Sequence, residues 1–200
     1  MHRSALRPLL ITLPLGLLLT ACGSDKTVGT SDDEAAGHGV PAGVVEQYAV
    51  LEKEIAERGG ETTAGDYRVG YIVEAAEPWF QGEHGGHGAL VNREPAEGET
   101  HHIEIIPMEA ATGRIVPDVP VRLEVVDGTG KVVQAQDLNF YHATFFHYAN
   151  NFSIPQDGTY TLRATLRPPT FLRHGARDEK PPLSAPVTVI FRNVPLKNGN

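Results

Sequence analysis

The chain has 200 residues, of which 17 are Lys or Arg and 25 are Asp or Glu, so its formal net charge is −8 at pH 7. This charge excludes binding to nucleic acid or anionic lipid by simple electrostatic attraction, and the length allows one domain with additional segments. A single cysteine is present, so no disulfide can form within the chain and the fold must depend on its core.

The first 21 residues are typical of a lipoprotein signal peptide. Arg3 and Arg7 precede an apolar run at residues 9–19, which is too short to span a bilayer as a stable helix. The run ends in Leu-Thr-Ala-Cys, where Cys22 would receive a lipid and become the first mature residue. A plain secretory signal with an incidental cysteine is the alternative. We expect an extracytoplasmic protein that is anchored to the membrane through Cys22.

Two short segments are predicted to precede the main domain. Residues 22–43 are rich in Gly, Ser, Asp and Ala, and this composition predicts a flexible tether because it cannot offset the cost of ordering. Residues 44–60 are predicted to form a short amphipathic helix that ends at two glycines. Its apolar residues at helical spacing are Val44, Val45, Tyr48, Leu51 and Ile55.

The main domain is predicted at residues 66–193, where the apolar period changes to two. The candidate strands are residues 67–75, 101–108, 119–126, 131–137, 140–146, 159–166 and 185–193. Seven short strands with frequent turn sequences predict an all-β fold, namely an immunoglobulin-like antiparallel β-sandwich. The glycine-rich loop at residues 78–99 is long, and loops of that length are often functional.

Two polar residues on the predicted strand 101–108 are candidate metal ligands. Alternation places His102 and Glu104 on the face opposite Ile103 and Ile105. Ligands at i and i+2 on a stiff strand form half of a site for a divalent cation, because imidazole suits copper, zinc, iron and nickel while a carboxylate compensates charge. A solvent-exposed strand face with two polar residues is the alternative.

Other histidines could complete such a site, but their spacing alone does not bring them together. His142 and His147 are five residues apart, so they would share a face only if a bulge or bend lay between them. His174 follows two prolines, which places it on a loop. His84 and His87 lie in a glycine-rich segment and are candidates for a secondary metal site.

Four sequence elements occur in order with characteristic separations. They are His102-Ile103-Glu104, His147-Tyr148-Ala149-Asn150-Asn151, Gly158-Thr159-Tyr160, and Pro168-Pro169 followed by His174. Together they resemble the pattern of the bacterial periplasmic iron-transport protein family over roughly residues 66–193. The resemblance implies a small immunoglobulin-like domain that binds copper, and in some members iron, and that acts beside an iron permease.

The resemblance also implies a set of metal ligands, which are His102, Glu104, His147 and His174. The segment that begins at His147 is then predicted to be a turn. The family's methionine ligand corresponds to Phe140, which cannot bind a metal. We expect His142 to replace it, because His142 is near that position and leads towards His147, whereas Met108 lies too far along its strand from Glu104 to share one ion. Imidazole in place of a thioether weakens any preference for Cu(I).

These observations predict a non-enzymatic protein that holds a copper or iron ion, with zinc also compatible, for delivery to an iron permease. Its metal affinity should fall near pH 6.5, where free imidazole is protonated. A copper-resistance or copper-storage module and an immunoglobulin-like surface interaction domain without a metal are the alternatives. A copper–zinc superoxide dismutase is disfavoured because that fold normally contains an intrachain disulfide. Assembly of the chain as a homodimer is also compatible with the sequence.

Overall fold

The structure is a computed structural model that describes residues 39–82 and 89–198. The predicted signal peptide, the predicted lipid site Cys22 and most of the predicted tether lie outside these residues, as do His84 and His87. Within the described part of the chain, no helix combines the length and the apolar character needed to cross a membrane.

The described residues contain one helix and eleven strands, and the predicted all-β sandwich is confirmed. Helix α1 spans Ala42–Arg58. The strands are β1 (Gly59–Ala64), β2 (Tyr67–Ala75), β3 (Trp79–Gly82), β4 (Leu90–Arg93), β5 (His101–Glu109), β6 (Val121–Val126), β7 (Val132–Asp137), β8 (Asn139–His142), β9 (Phe146–Phe152), β10 (Gly158–Leu166) and β11 (Val187–Leu196).

Two antiparallel sheets form the sandwich. The first has the strand order β1-β2-β5-β9-β8, and the second has the order β11-β10-β6-β7. Alternate apolar residues of both sheets fill the space between them, and Ile103 and Ile105 of β5 are buried there with Leu162 and Ala164 of β10. The inner face of β5 therefore belongs to the core, which leaves its outer face for other side chains.

Helix α1 packs on this outer face of the first sheet. The apolar cluster between helix and sheet consists of Leu51, Ile55, Ile72, Ile106, Met108 and Phe145. Gly70 on β2 permits the close approach, because a Cβ at that position would lie only 2.6 Å from Ile55 Cδ1. The two glycines that were predicted to end the helix follow its last residue, and there they begin β1.

Ile55→Ala is expected to lower the free energy of unfolding by about 2–5 kcal/mol, because the side chain is only 5% exposed and its loss leaves a cavity under the helix. Val45→Ala is a matched control on the same helix, since Val45 is 58% exposed, and it should change stability by less than about 0.5 kcal/mol. Chemical denaturation measures both values. Equal effects of the two substitutions would contradict this packing.

Three differences from the predicted elements bear on function. The strand predicted at residues 140–146 ends at His142, and the chain then turns back into β9, which contains His147. The segment after His147 was predicted to be a turn, which is wrong, because it pairs with both β5 and β8. The loop at residues 78–99 contains β3 and β4, which pair with each other as a hairpin.

Candidate metal centre

The outer face of β5 carries two polar side chains next to the apolar cluster under α1. They are His102 and Glu104, which alternate with the core residues of the same strand. Strand β9 pairs antiparallel with β5, so that His102 lies opposite Asn151 and Glu104 lies opposite Ala149. His147 is two residues from Ala149 and therefore projects from the same face of the sheet.

Three groups that can bind a metal converge at this position. One atom from each of His102, Glu104 and His147 can be chosen so that all three atoms lie within 4.8 Å of one another. His147 Nε2 lies 3.9 Å from Glu104 Oε1. All three residues are buried, with exposures between 3% and 5%. Among the residues that the structure describes, no other group of three such side chains meets in this way.

Hydrogen bonds determine which nitrogen of each imidazole faces the centre. His102 Nδ1 donates to Asn151 Oδ1 at 2.9 Å, and His147 Nδ1 donates to the carbonyl oxygen of Phe145 at 3.3 Å. Burial lowers the pKa of His102 and lowers the pKa of His147 to about 4. Both rings are therefore neutral at pH 7, and each Nε2 keeps a lone pair that is free to bind a metal.

Glu104 occupies an environment that disfavours its charged form. Its Oε2 atom is buried and has no hydrogen-bond partner within residues 39–82 and 89–198. Burial is the main reason that its pKa is raised to about 8, and the negative charges of Glu74, Glu54 and Glu77 raise it further. A carboxyl group in such a place lacks the compensation that buried charges normally have, and a bound cation would supply it.

The donor set of the centre fits a divalent transition-metal ion. Two imidazole nitrogens and one carboxylate oxygen are ligands that suit copper, zinc and iron. Metal–ligand bonds of about 2 Å place the ligand atoms at most about 4 Å apart, so the three side chains would have to move closer together to bind one ion. Three protein ligands leave at least one coordination position open, so the ion could exchange ligands with another molecule.

Aromatic rings surround the two histidines. Tyr141 of β8 stacks on His147, with ring centroids 5.7 Å apart and planes 12° apart, and it meets the ring of His102 edge-on at 5.9 Å. Phe145 also meets His147 edge-on at 5.7 Å. Trp79 of β3 contacts Tyr141 in turn, with the centroids 5.6 Å apart. These rings exclude water from one side of the centre and restrict how the imidazoles can rotate.

His142 lies close to the centre along the chain but on the other face of the sheet. It is opposite Phe146 in the β8–β9 pairing, whereas His147 is opposite Tyr141. Its exposed ring packs on Phe146, with the centroids 4.5 Å apart. Phe140 shares this face and stacks on Phe146 at 5.2 Å. The bend between β8 and β9 therefore does not bring His142 to His102 and Glu104 within one chain.

His174 lies at the opposite end of β5. It is exposed in the loop that follows β10, and it lines a groove together with Glu109 and Arg114. Glu109 is five residues beyond Glu104, which corresponds to about 17 Å along the strand. The structure of a single chain thus brings together His102, Glu104 and His147 and leaves His174 apart.

Two residues that contact the centre were not identified from the sequence. Tyr141 faces the centre from β8, and Asn151 holds His102 from β9. Both lie on the same face of the sheet as His147, because Asn151 is four residues beyond it on β9 and Tyr141 is its cross-strand partner on β8. The sequence shows this only once β9 is recognised as a strand.

No protein-family model matches the chain, and no curated protein matches it in sequence. Among solved structures, FetP of uropathogenic E. coli strain F11 superposes with a TM-score of 0.52 at 19% identity, over 70% of this chain and 96% of FetP. Copper-reconstituted P19 of Campylobacter jejuni gives a TM-score of 0.52 at 15% identity, over 70% of this chain and 97% of P19. The chain therefore shares the β-sandwich fold of FetP and P19.

Proposed function

We propose that the chain is an extracytoplasmic metal-binding protein that holds a copper ion at His102, Glu104 and His147. The observation that carries the proposal is the convergence of two inward-facing imidazole lone pairs on a buried carboxyl group without a hydrogen-bond partner in the described residues. The shared fold supports it, because P19 was reconstituted with copper and FetP was expressed in the periplasm.

We further propose that the protein serves iron uptake and acts beside an iron permease in the membrane. Its step would be the exchange of ligands on the ion, without covalent catalysis. The open coordination position of a three-ligand centre supports this role, because a centre that must release its ion needs a position where an incoming ligand can bind. Fe(II) and zinc suit the same ligands as Cu(II), so the identity of the ion must be measured.

Metal analysis of the chain, purified without a histidine tag, tests the metal-binding role. We expect one equivalent of copper per chain, and competition with chelators should show that it is bound more tightly than zinc, in keeping with the general order of divalent-metal affinities. A protein that retains no stoichiometric metal after loading with copper, iron or zinc would contradict the proposal and leave the alternative of a surface interaction domain.

A strain that lacks the chain separates iron uptake from a role in copper resistance or storage. Under the proposed function, uptake of radiolabelled iron should fall while tolerance of copper stays normal. Sensitivity to copper together with normal iron uptake would instead support the alternative role.

Cys22→Ser is expected to release the protein from the membrane fraction or to block its processing, because Cys22 is the proposed lipid attachment site. Fractionation followed by immunoblotting measures both effects. Substitution of Ser24, two residues further on, is the control and should leave the protein with the membranes. A Cys22→Ser protein that is cleaved normally and still sediments with membranes would show that no lipid anchor is present at this cysteine.

The ligand roles of His142 and His174 stay predictions. His174 lies away from the centre within one chain, so it could bind the same ion only if its loop rearranged or if a second copy of the chain supplied it. A homodimer in which each chain donates His174 to its partner is one such arrangement. Sedimentation of the protein with and without copper measures whether it assembles in this way.

A further inference from the structure

Arg93, the last residue of β4, makes strong contacts in two directions. Its Nη2 donates to Glu99 Oε1 at 2.6 Å and its Nη1 donates to Glu99 Oε2 at 2.9 Å, which is the forked geometry of a bidentate ion pair. Its guanidinium also lies over the ring of Trp79, with Cζ 4.0 Å from the ring centroid. From these two partners, separate chains of contacts lead to the metal centre.

The first of these, the polar chain, runs from Glu99 through Asn151 to His102. Glu99 stays ionised because its hydrogen bond with Arg93 is the main cause that lowers its pKa to about 2. A carboxylate can only accept hydrogen bonds, and its Oε2 accepts one from Asn151 Nδ2 at 3.2 Å. The amide oxygen of Asn151 is thereby turned towards His102 Nδ1, which must carry the proton.

The backbone of Glu77 supports the same orientation of the Asn151 amide. Its N–H donates to Asn151 Oδ1 at 3.2 Å, and its carbonyl oxygen accepts from Asn151 Nδ2 at 2.9 Å. All the partners of the amide therefore favour one tautomer of His102, with the proton on Nδ1 and the lone pair on Nε2. That is the tautomer that a metal at the centre requires.

The second, the aromatic chain, runs from Trp79 through Tyr141 to His147. Trp79 is half-buried and meets Tyr141 edge-on, and Tyr141 stacks on the imidazole of His147. Because Arg93 packs on the ring of Trp79, the guanidinium limits how far these rings can move. The polar chain and the aromatic chain thus begin at one arginine and end at the two histidines of the centre.

We propose that Arg93 is a positioning residue of the metal centre, which holds His102 through the polar chain and His147 through the aromatic chain. This inference rests on the proposed metal-binding function. The side chain orients both imidazoles before an ion arrives, so that little reorganisation is needed on binding. Loss of partners that orient metal-binding histidines typically lowers metal affinity by about 10–100-fold.

Arg93→Met tests the proposal, because it removes the forked ion pair while keeping an unbranched side chain against Trp79. The affinity for Cu(II) should fall by about 10–100-fold, and circular dichroism should show that the fold is retained. Arg93→Lys should recover only part of the affinity, because an ammonium group cannot pair with a carboxylate bidentately. Arg114→Met is the matched control. It breaks an ion pair with Glu109, 2.9 Å long, at the far end of β5, and it should change the affinity by less than about twofold.

Substitutions in each chain of contacts test the two routes separately. Glu99→Gln interrupts the polar chain, and Tyr141→Leu interrupts the aromatic chain. If Arg93 acts through both, the effect of Arg93→Met should be smaller in either of these backgrounds than in the wild type, because residues in one network are not additive. Strict additivity in both backgrounds, or wild-type Cu(II) affinity of Arg93→Met, would overturn the proposal.

Nitrogen-15 NMR of the metal-free protein provides a readout that does not depend on metal binding. His102 should carry its proton on Nδ1 in the wild type, and Arg93→Met should show a minor share of the other tautomer, because the two hydrogen bonds with the Glu77 backbone remain. An unchanged tautomer in the variant would overturn the positioning role at His102. If the wild type binds no metal and the tautomer still shifts, the proposed function fails while the positioning role of Arg93 stands.

Discussion

His147→Ala is expected to lower the affinity for Cu(II) by at least about 100-fold, because one of three protein ligands is lost and its loss should exceed the effect of removing an orienting partner. The fold should survive, since His147 projects from the outer face of the first sheet and contacts Tyr141 and Phe145 rather than the core between the sheets. Competition titration against a chelator of known affinity measures the change, and thermal unfolding of the metal-free protein checks the fold.

His142→Ala and His174→Ala are the comparison variants. The structure of one chain predicts effects below about threefold for both, since neither side chain reaches the centre in it and most substitutions away from a site have small effects. A large loss in His174→Ala would instead show that this residue completes the ligand set from a rearranged loop or from a second copy. If His147→Ala binds one equivalent of copper as tightly as the wild type, the proposed centre does not exist.

Copper affinity is expected to fall as the pH drops below about 8, rather than near the pH of 6.5 at which free imidazole titrates. Burial is responsible, because it raises the pKa of Glu104 to about 8 and lowers that of His147 to about 4. Below pH 8 the metal must displace a proton from the carboxyl group, which costs about tenfold in apparent affinity for each pH unit. Protons compete for His147 only near pH 4.

Glu104→Gln tests this assignment, because it keeps the shape of the side chain but cannot ionise. The variant should bind copper more weakly than the wild type at pH 8 and should lose the dependence on pH between 6 and 8. Titrations in chelator-buffered copper across this range provide the measurement. A wild-type affinity that stays constant between pH 6 and pH 8 would show that Glu104 is already ionised or does not bind the ion.

The same carboxyl group links the stability of the metal-free protein to pH. Its pKa in the folded state is raised above the ordinary value of 4.5, so the contribution of its protonated form is fully present below pH 4.5 and is lost as the pH rises through about 8. Glu104→Gln should therefore be more stable than the wild type at pH 8 in the absence of metal. Equal stability of the two proteins at that pH would argue that the carboxyl group is better solvated than the structure shows.

Strand alternation made part of the centre predictable. His102 and Glu104 follow the period of two that also places Ile103 and Ile105 in the core, and a strand with one buried apolar face has only one register that satisfies it. The same period places His147 on the face of His102 and Glu104 once β9 is known to be a strand. These positions depend on local sequence and on pairing between neighbouring strands.

The β9 strand itself was missed because asparagines are depleted in strands. In the structure, Asn150 Nδ2 donates to the carbonyl oxygen of Asp137, and Asn150 Oδ1 accepts from Asn139 Nδ2. Asn151 is held by Glu77 and Glu99 from the loop region before β5. The side-chain amides form hydrogen bonds with residues distant in sequence, and the strand propensity of asparagine does not take such tertiary partners into account.

The position of His174 could not be read from the sequence for a related reason. Two prolines show that it lies on a loop, but they do not say towards which end of the sandwich that loop extends.

The shifted pKa of Glu104 also depends on tertiary structure, because helix α1 packs an apolar cluster beside it that includes Ile106 from the same strand.

The two faces of β5 have different roles, which affects how the protein can change during evolution. One face packs in the core between the two sheets and the other presents the ligands, so exchange of a ligand side chain leaves the packing between the sheets in place. A new metal preference could therefore arise by exchanging outer-face side chains without repacking the interior. The protein could also give up its ion and remain folded, ready to accept the next one.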